Sequence, residues 1–263
     1  MTDTSAKWND LRPRMLSAAA MAVVGLIAIW LGGLWFAALV AVAAGVMVWE
    51  LARMLAPVRT EAAPVLGLVS FAVVIGGGMI GSIPALALLA ALAALGVIWV
   101  RNDRLIFLGY GAAIILACFA VLAARGVGEV WVFWLVGVVI ASDTAGYFVG
   151  RRLGGPKFWP RVSPKKTWSG TVAGWIAAGC VGLVFLPLTG AGASLILVSA
   201  LVGFAGQIGD ILESAIKRYR GVKDASDILP GHGGVLDRFD GMIGAALAAA
   251  VFFALGWLAV AGA

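Results

Sequence analysis

The run Val130–Gly150, V-W-V-F-W-L-V-G-V-V-I-A-S-D-T-A-G-Y-F-V-G, decides the fold. Wound as a helix rising about 1.5 Å per residue, it spans the roughly 30 Å hydrocarbon core of a bilayer. Asp143 is its one charged side chain. The rest of the chain has the same character. Of its 263 residues, 62% are hydrophobic and 12% charged, against about 25% charged in a soluble domain. There is too little polar material to clothe a surface in water, and a bilayer removes the need for one.

Working outward from that run, nine apolar segments reach or approach the necessary length of about 17–25 residues. They are Met15–Leu31, Leu34–Met54, Val65–Ile80, Ile83–Val100, Leu105–Ala124, Val130–Gly150, Gly170–Pro187, Ala193–Leu212 and Gly241–Ala261. The third is short and contains Gly76-Gly77-Gly78, so its limits are the least defined. The first follows Lys7, Arg12 and Arg14 in the manner of a secretion signal. It is long for one, and a second span follows at once, so it reads as a membrane helix. Glycines inside the spans read as packing positions. Cys118 and Cys180 lie in apolar runs with no metal-ligand neighbours and read as packing residues too.

The net charge of +6 would point to nucleic acid in a soluble protein. Here the basic residues sit in short loops, where they set orientation, and no nucleic-acid partner is expected. With the N-terminus in the cytoplasm, alternate loops collect Lys7, Arg12 and Arg14; Arg53 and Arg59; Arg101 and Arg104; then Arg151, Arg152, Lys157, Arg161, Lys165 and Lys166. The last cytoplasmic loop holds Lys217, Arg218, Arg220, Lys223 and Arg238. Only Arg125 of the 19 basic residues falls outside. The expected fold is therefore all-α: a polytopic integral membrane protein of about nine transmembrane helices, N-terminus cytoplasmic and C-terminus external. Residues 1–128 form the N-terminal helices. Residues 129–263 form the C-terminal helices, with two substantial cytoplasmic loops, Arg151–Ser169 and Glu213–Asp240.

Chemistry must reside in those loops. A carboxylate within a span costs a few kcal/mol and marks function by default, which singles out Asp143 and, at the end of the eighth span, Asp210. Asp210, Ser214 and Lys217 follow at i, i+4 and i+7, on one helical face. Lys223 and Asp224 come next, then Leu229-Pro230-Gly231-His232-Gly233-Gly234, a tight turn whose glycines let backbone amides approach a ligand. Asp237 and Asp240 then share a face where the ninth helix opens, an end that favours carboxylates. Carboxylates with Lys, Arg and a glycine turn suit a nucleoside triphosphate with Mg²⁺, which takes one or two carboxylates and keeps waters or phosphates as its other ligands.

The stretch from Ser214 to Asp240 reads S-x-x-K-R, K-D, P-G-H-G-G, D-R-x-D, and it resembles the signature of the phosphatidate cytidylyltransferase (CDP-diacylglycerol synthase) family. Ser142-Asp143-Thr144-Ala145-Gly146-Tyr147, and Ser163-Pro164-Lys165-Lys166-Thr167, resemble that family's other cytoplasmic block. Ser169 stands where the family often has Glu. The resemblance covers about residues 130–245.

It implies Mg²⁺-dependent transfer of CMP from CTP to phosphatidic acid, giving CDP-diacylglycerol and pyrophosphate. It also implies an inner-membrane location in a bacterium, a site facing the cytoplasm, and a homodimer. On this reading Asp210 and Asp237 are the leading metal ligands, with Asp240 and Asp143 supporting them. Lys217, Lys223, Lys165, Lys166 and Arg218 hold phosphates, and Ser214, Asp224 and Arg238 belong to the substrate site. Gly233 and Gly234 offer amides, and His232 either shapes the turn or touches phosphate. The lipid arrives sideways from the bilayer and CTP from the cytoplasm.

The rival from another class is a transporter or flippase for an anionic lipid or other substrate. It fits intramembrane Asp and glycine-rich spans, but the polar residues gather at one membrane face and no repeat is visible. A CDP-alcohol phosphotransferase would carry D-G-x-x-A-R, which is absent.

Overall fold

A computed structural model describes residues 4–79, 82–229 and 231–258. Pro230 of the glycine turn and the expected span ends at Ile80 and Ala261 lie outside them. Along the chain run α1 (Thr4–Leu31), α2 (Gly33–Leu55), a 3-10 turn (Thr60–Ala62), α3 (Ala63–Met79), α4 (Ser82–Trp99), α5 (Arg104–Val127) and α6 (Glu129–Leu153). Then come two short strands, β1 (Lys157–Trp159) and β2 (Ser163–Thr167), followed by α7 (Trp168–Thr189), α8 (Ser194–Tyr219) and α9 (Leu236–Ala254). Each expected span overlaps one of these helices, although α9 opens five residues before Gly241 and ends at Ala254, short of the expected limit. Among the described residues, six helical segments are long and apolar enough to cross a membrane: α2, Thr60–Gly77, α5, α6, α7 and α8. Met15–Leu31 and Leu86–Trp99 are apolar but shorter. Helix α9, whose first turns carry Asp237, Arg238 and Asp240, is not among the six.

Outward faces are apolar, as a lipid solvent requires. Ile176, Leu183, Val184 and Leu188 of α7 are all exposed. The chain is thus an all-α membrane protein with one small departure. The loop expected at Arg151–Ser169 contains an antiparallel hairpin, with Lys157 paired to Thr167 and Trp159 to Ser163. The ring of Phe158 packs edge-on against Trp168, 4.7 Å between centroids, and Thr167 caps α7 by accepting the Gly170 amide at 3.2 Å. The second expected loop is shorter than Glu213–Asp240. Helix α8 continues through Tyr219, ending on Lys217 and Arg218, cations that complement the negative end of a helix.

The chain divides into two compact units. The first contains residues 1–115 and Arg220–Arg238; the second contains Leu116–Tyr219 and residues from Phe239 onward. In the first, α1 packs on α2, α2 on α3 and α3 on α4, around Val48, Leu51 and Leu66. In the second, α6, α7 and α8 pack on one another around Trp134, Leu135, Val138, Leu195 and Val202. There Trp134 Nε1 donates to Ser199 Oγ at 2.8 Å. Helices α8 and α9 meet backbone to backbone. A Cβ at Gly209 would strike the Asp240 carbonyl and one at Gly244 the Ala205 carbonyl, the close approach that small residues permit inside membranes.

Candidate active site

The second unit holds a cavity of about 690 Å³. Helix α6 contributes Asp143 and Arg151, the hairpin contributes Lys157, Lys165 and Lys166, and α8 contributes Asp210. Lys165 and Asp143 are exposed, and Lys166 and Asp210 are half-buried. The Lys166 ammonium lies 2.6 Å from Asp210 Oδ2 and donates to the Gln207 carbonyl at 3.2 Å. The other oxygen of Asp210, Oδ1, accepts from Ser214 Oγ at 3.2 Å, the i, i+4 contact that the spacing predicts.

A buried amide supports this arrangement from below. Gln207 Nε2 donates to Ser142 Oγ at 3.1 Å and to the Thr171 carbonyl at 3.3 Å, while its Oε1 accepts from Trp175 Nε1 at 3.1 Å. One side chain thereby ties α6 and α7 to α8, one turn from Asp210.

Asp143, Asp210 and Asp240 are near enough for their charges to act on one another, and Lys166 acts on Asp143 and Lys217 on Asp240. Asp240 Oδ1 accepts its neighbour's amide, Gly241 N, at 2.7 Å. Carboxylates that repel one another favour a cation between them, and their hard oxygens suit Mg²⁺. Among the described residues, no three His, Cys, Asp or Glu side chains converge as a closed metal cage. An ion that keeps waters and phosphate oxygens does not need such a cage. Lys217 forms an ion pair with Glu213, which is fully buried.

The other expected site residues belong to the first unit. His232 Nδ1 lies 2.7 Å from Ser17 Oγ. The turn closes through Leu229 N to Gly233 O at 2.9 Å and His232 N to Leu229 O at 2.8 Å. Gly231 and Gly233 take φ of +73° and +83°, a region that side chains disfavour. Asp237 is buried, and its Oδ2 accepts two amides, Gly234 N at 2.7 Å and Ala225 N at 2.9 Å. The Gly234 amide is therefore engaged by Asp237. Lys223, Asp224 and Arg238 are exposed, as is Arg218 at the end of α8 in the second unit. Arg220 donates to Asp103 at 2.9 Å and to the Met54 carbonyl at 3.0 Å.

Sequence reasoning passed over four groups: Glu50, Gln207, Glu213 and the Asp103–Arg220 pair. Glu50 carried a usable signal, a carboxylate inside the expected second span.

Comparison with known proteins matches this chain to a described family. The sequence pattern of the cytidylyltransferase family fits residues 12–256. The phosphatidate cytidylyltransferase of Brucella suis biovar 1 (strain 1330) is 46% identical over 130 residues, 49% of this chain and 48% of that protein. That of Bacillus subtilis (strain 168) is 40% identical over 121 residues, 44% of each chain. That of Staphylococcus haemolyticus (strain JCSC1435) is 42% identical over 121 residues, 45% of this chain and 46% of its own. The match spans about half the length of these curated relatives.

Proposed function

This chain belongs to the cytidylyltransferase family, and from that premise we propose that it transfers CMP from CTP to phosphatidic acid, releasing pyrophosphate and forming CDP-diacylglycerol. The observation that carries the reading is the cavity in which the hairpin lysines face Asp143 and Asp210, with Lys166 and Asp210 paired at 2.6 Å. Phosphate-binding cations and cation-binding carboxylates stand side by side there, as a reaction between two anions demands. The relatives named above carry the same activity in their names.

A phosphate oxygen of phosphatidic acid attacks the α-phosphorus of CTP. The bond to the bridging oxygen breaks, and the electron pair leaves with pyrophosphate. Phosphate is already ionised at neutral pH, so no side chain has to remove a proton. The barrier is the repulsion of two anions, and positioning with electrostatic stabilisation lowers it. Lys165 and Lys166 hold the nucleotide phosphates, with Arg151 and Lys157 on the same cavity wall. As phosphate binds, Lys166 exchanges Asp210 for a phosphate oxygen, freeing Asp210 as a ligand. Asp143 and Asp240 support it. These carboxylates would hold Mg²⁺, which would supply neutralisation of phosphate charge there. Asp237 remains a proposed carboxylate ligand, its orientation fixed by its two backbone amides.

The same proposal includes nine crossings, a cytoplasmic N-terminus and site, an external C-terminus and the inner membrane of a bacterium. The distribution of basic residues supports it. A homodimer follows from the family resemblance alone. The test is an assay of purified protein in detergent with labelled CTP. Label should enter lipid only with phosphatidic acid and Mg²⁺ present, with equimolar pyrophosphate. Lipid movement without consumption of CTP would replace this reading with a transporter.

A further inference from the structure

Glu50 of α2 is fully buried and belongs to none of the groups assigned above. A carboxylate inside a membrane helix is costly and must be compensated by partners. Its Oε1 accepts from Ser226 Oγ at 2.5 Å and from Val235 N at 2.9 Å, and its Oε2 accepts from Leu236 N at 2.6 Å. The two amides are donors at the start of α9, where a helix has no acceptors of its own and where negative charge is favoured.

One carboxylate oxygen therefore pinches together the two ends of the loop from Ser226 to Val235. Asp237 makes a second, adjoining pinch, tying Ala225 to Gly234 through a single oxygen. The two grips share their loop. A Cβ on residue 234 would lie 2.5 Å from Glu50 Oε1, which gives Gly234 a steric reason distinct from the positive φ of Gly233.

We propose that Glu50 is a positioning residue: from α2 it holds the neck of the Ser226–Val235 loop and the first turn of α9, and so sets the orientation of the Asp237 carboxylate. Its bearing on catalysis rests on the transfer activity proposed above; its grip on the loop does not.

Glu50→Gln keeps the shape but turns one acceptor into a donor facing an amide donor. Hydrogen exchange of the full-length protein in detergent should show the amides of residues 225–236 exchanging about tenfold faster, as expected for losing a hydrogen bond to a charged group. Exchange in α7 should not change. In the CMP-transfer assay kcat should fall about tenfold or more, while KM for CTP stays within about twofold because the nucleotide phosphates sit on the hairpin. Unchanged exchange at 225–236, or acceleration spread evenly over the chain, overturns the proposal. If Glu50→Gln does not fold, Ser226→Ala decides by the same local pattern at smaller amplitude. A wild-type protein without transfer activity refutes the proposed function and leaves the exchange result to judge Glu50.

Discussion

The Nζ of Lys166, on β2, lies 2.6 Å from Oδ2 of Asp210, on α8. The pair joins 44 positions of sequence, from the hairpin to the cytoplasmic end expected for the eighth span, and it brings the cavity's two kinds of charge into contact.

Asp210→Asn keeps the Ser214 contact but loses the charge that pairs with Lys166 and, on the proposed mechanism, with Mg²⁺. Transfer activity should fall by about 100-fold or more, the range seen when one electrostatic stabiliser is removed. Lys166→Ala should fall similarly, and the double variant should lose far less than the product, since groups acting as a unit fail together. Initial rates at saturating phosphatidic acid check this; multiplicative losses would separate the two residues.

Asp240→Asn removes one of three mutually repelling carboxylates. The half-saturating Mg²⁺ concentration should rise, and added Mg²⁺ should restore much of the rate. In metal-free buffer the variant should melt at or above the wild-type temperature, because repulsion has been relieved. A lower melting temperature with unchanged Mg²⁺ dependence would place Asp240 outside the cation site.

Lys217 pairs with Glu213, which has no exposure to solvent. Lys217→Ala removes the paired cation from a buried carboxylate and should destabilise the protein by about 3 kcal/mol. Replacing both with Glu213→Gln and Lys217→Met should recover most of that stability. Arg125, half-buried at the end of α5, pairs at 3.4 Å with exposed Glu129 at the start of α6. Arg125→Ala should stay within about 0.5 kcal/mol of wild type and leave transfer unaffected. Thermal melts in detergent distinguish the two classes.

Lys157→Cys, in a background lacking Cys118 and Cys180, tests orientation. An impermeant thiol reagent should label it only after the inner membrane is opened. Ready labelling in intact cells would invert the proposed topology.

The helices were legible because apolar runs bounded by charge need no tertiary information; the expected and observed limits of α2 differ by a residue at each end. The Asp210–Ser214 contact was legible from helical spacing alone. The hairpin was not, since eleven mostly polar residues between two spans carry no clear alternation. The ion pair of Lys217 with Glu213, four residues back, was open to inspection from the spacing and was passed over. Glu50 was hidden for a different reason. Its partners lie 176 to 186 residues away, and no periodicity reports a contact of that range.

That separation has a consequence for biosynthesis. Helix α2 leaves the ribosome well before the groups that satisfy Glu50, which are translated 176 to 186 residues later. Until then its carboxylate must be hydrated, protonated or shielded by something other than its native partners. The first compact unit is thus early in its helices and late in its completion: a nascent chain halted before Ser226 would contain α1–α4 and lack the donors that make their buried acid tolerable. Segments inserted first are finished last.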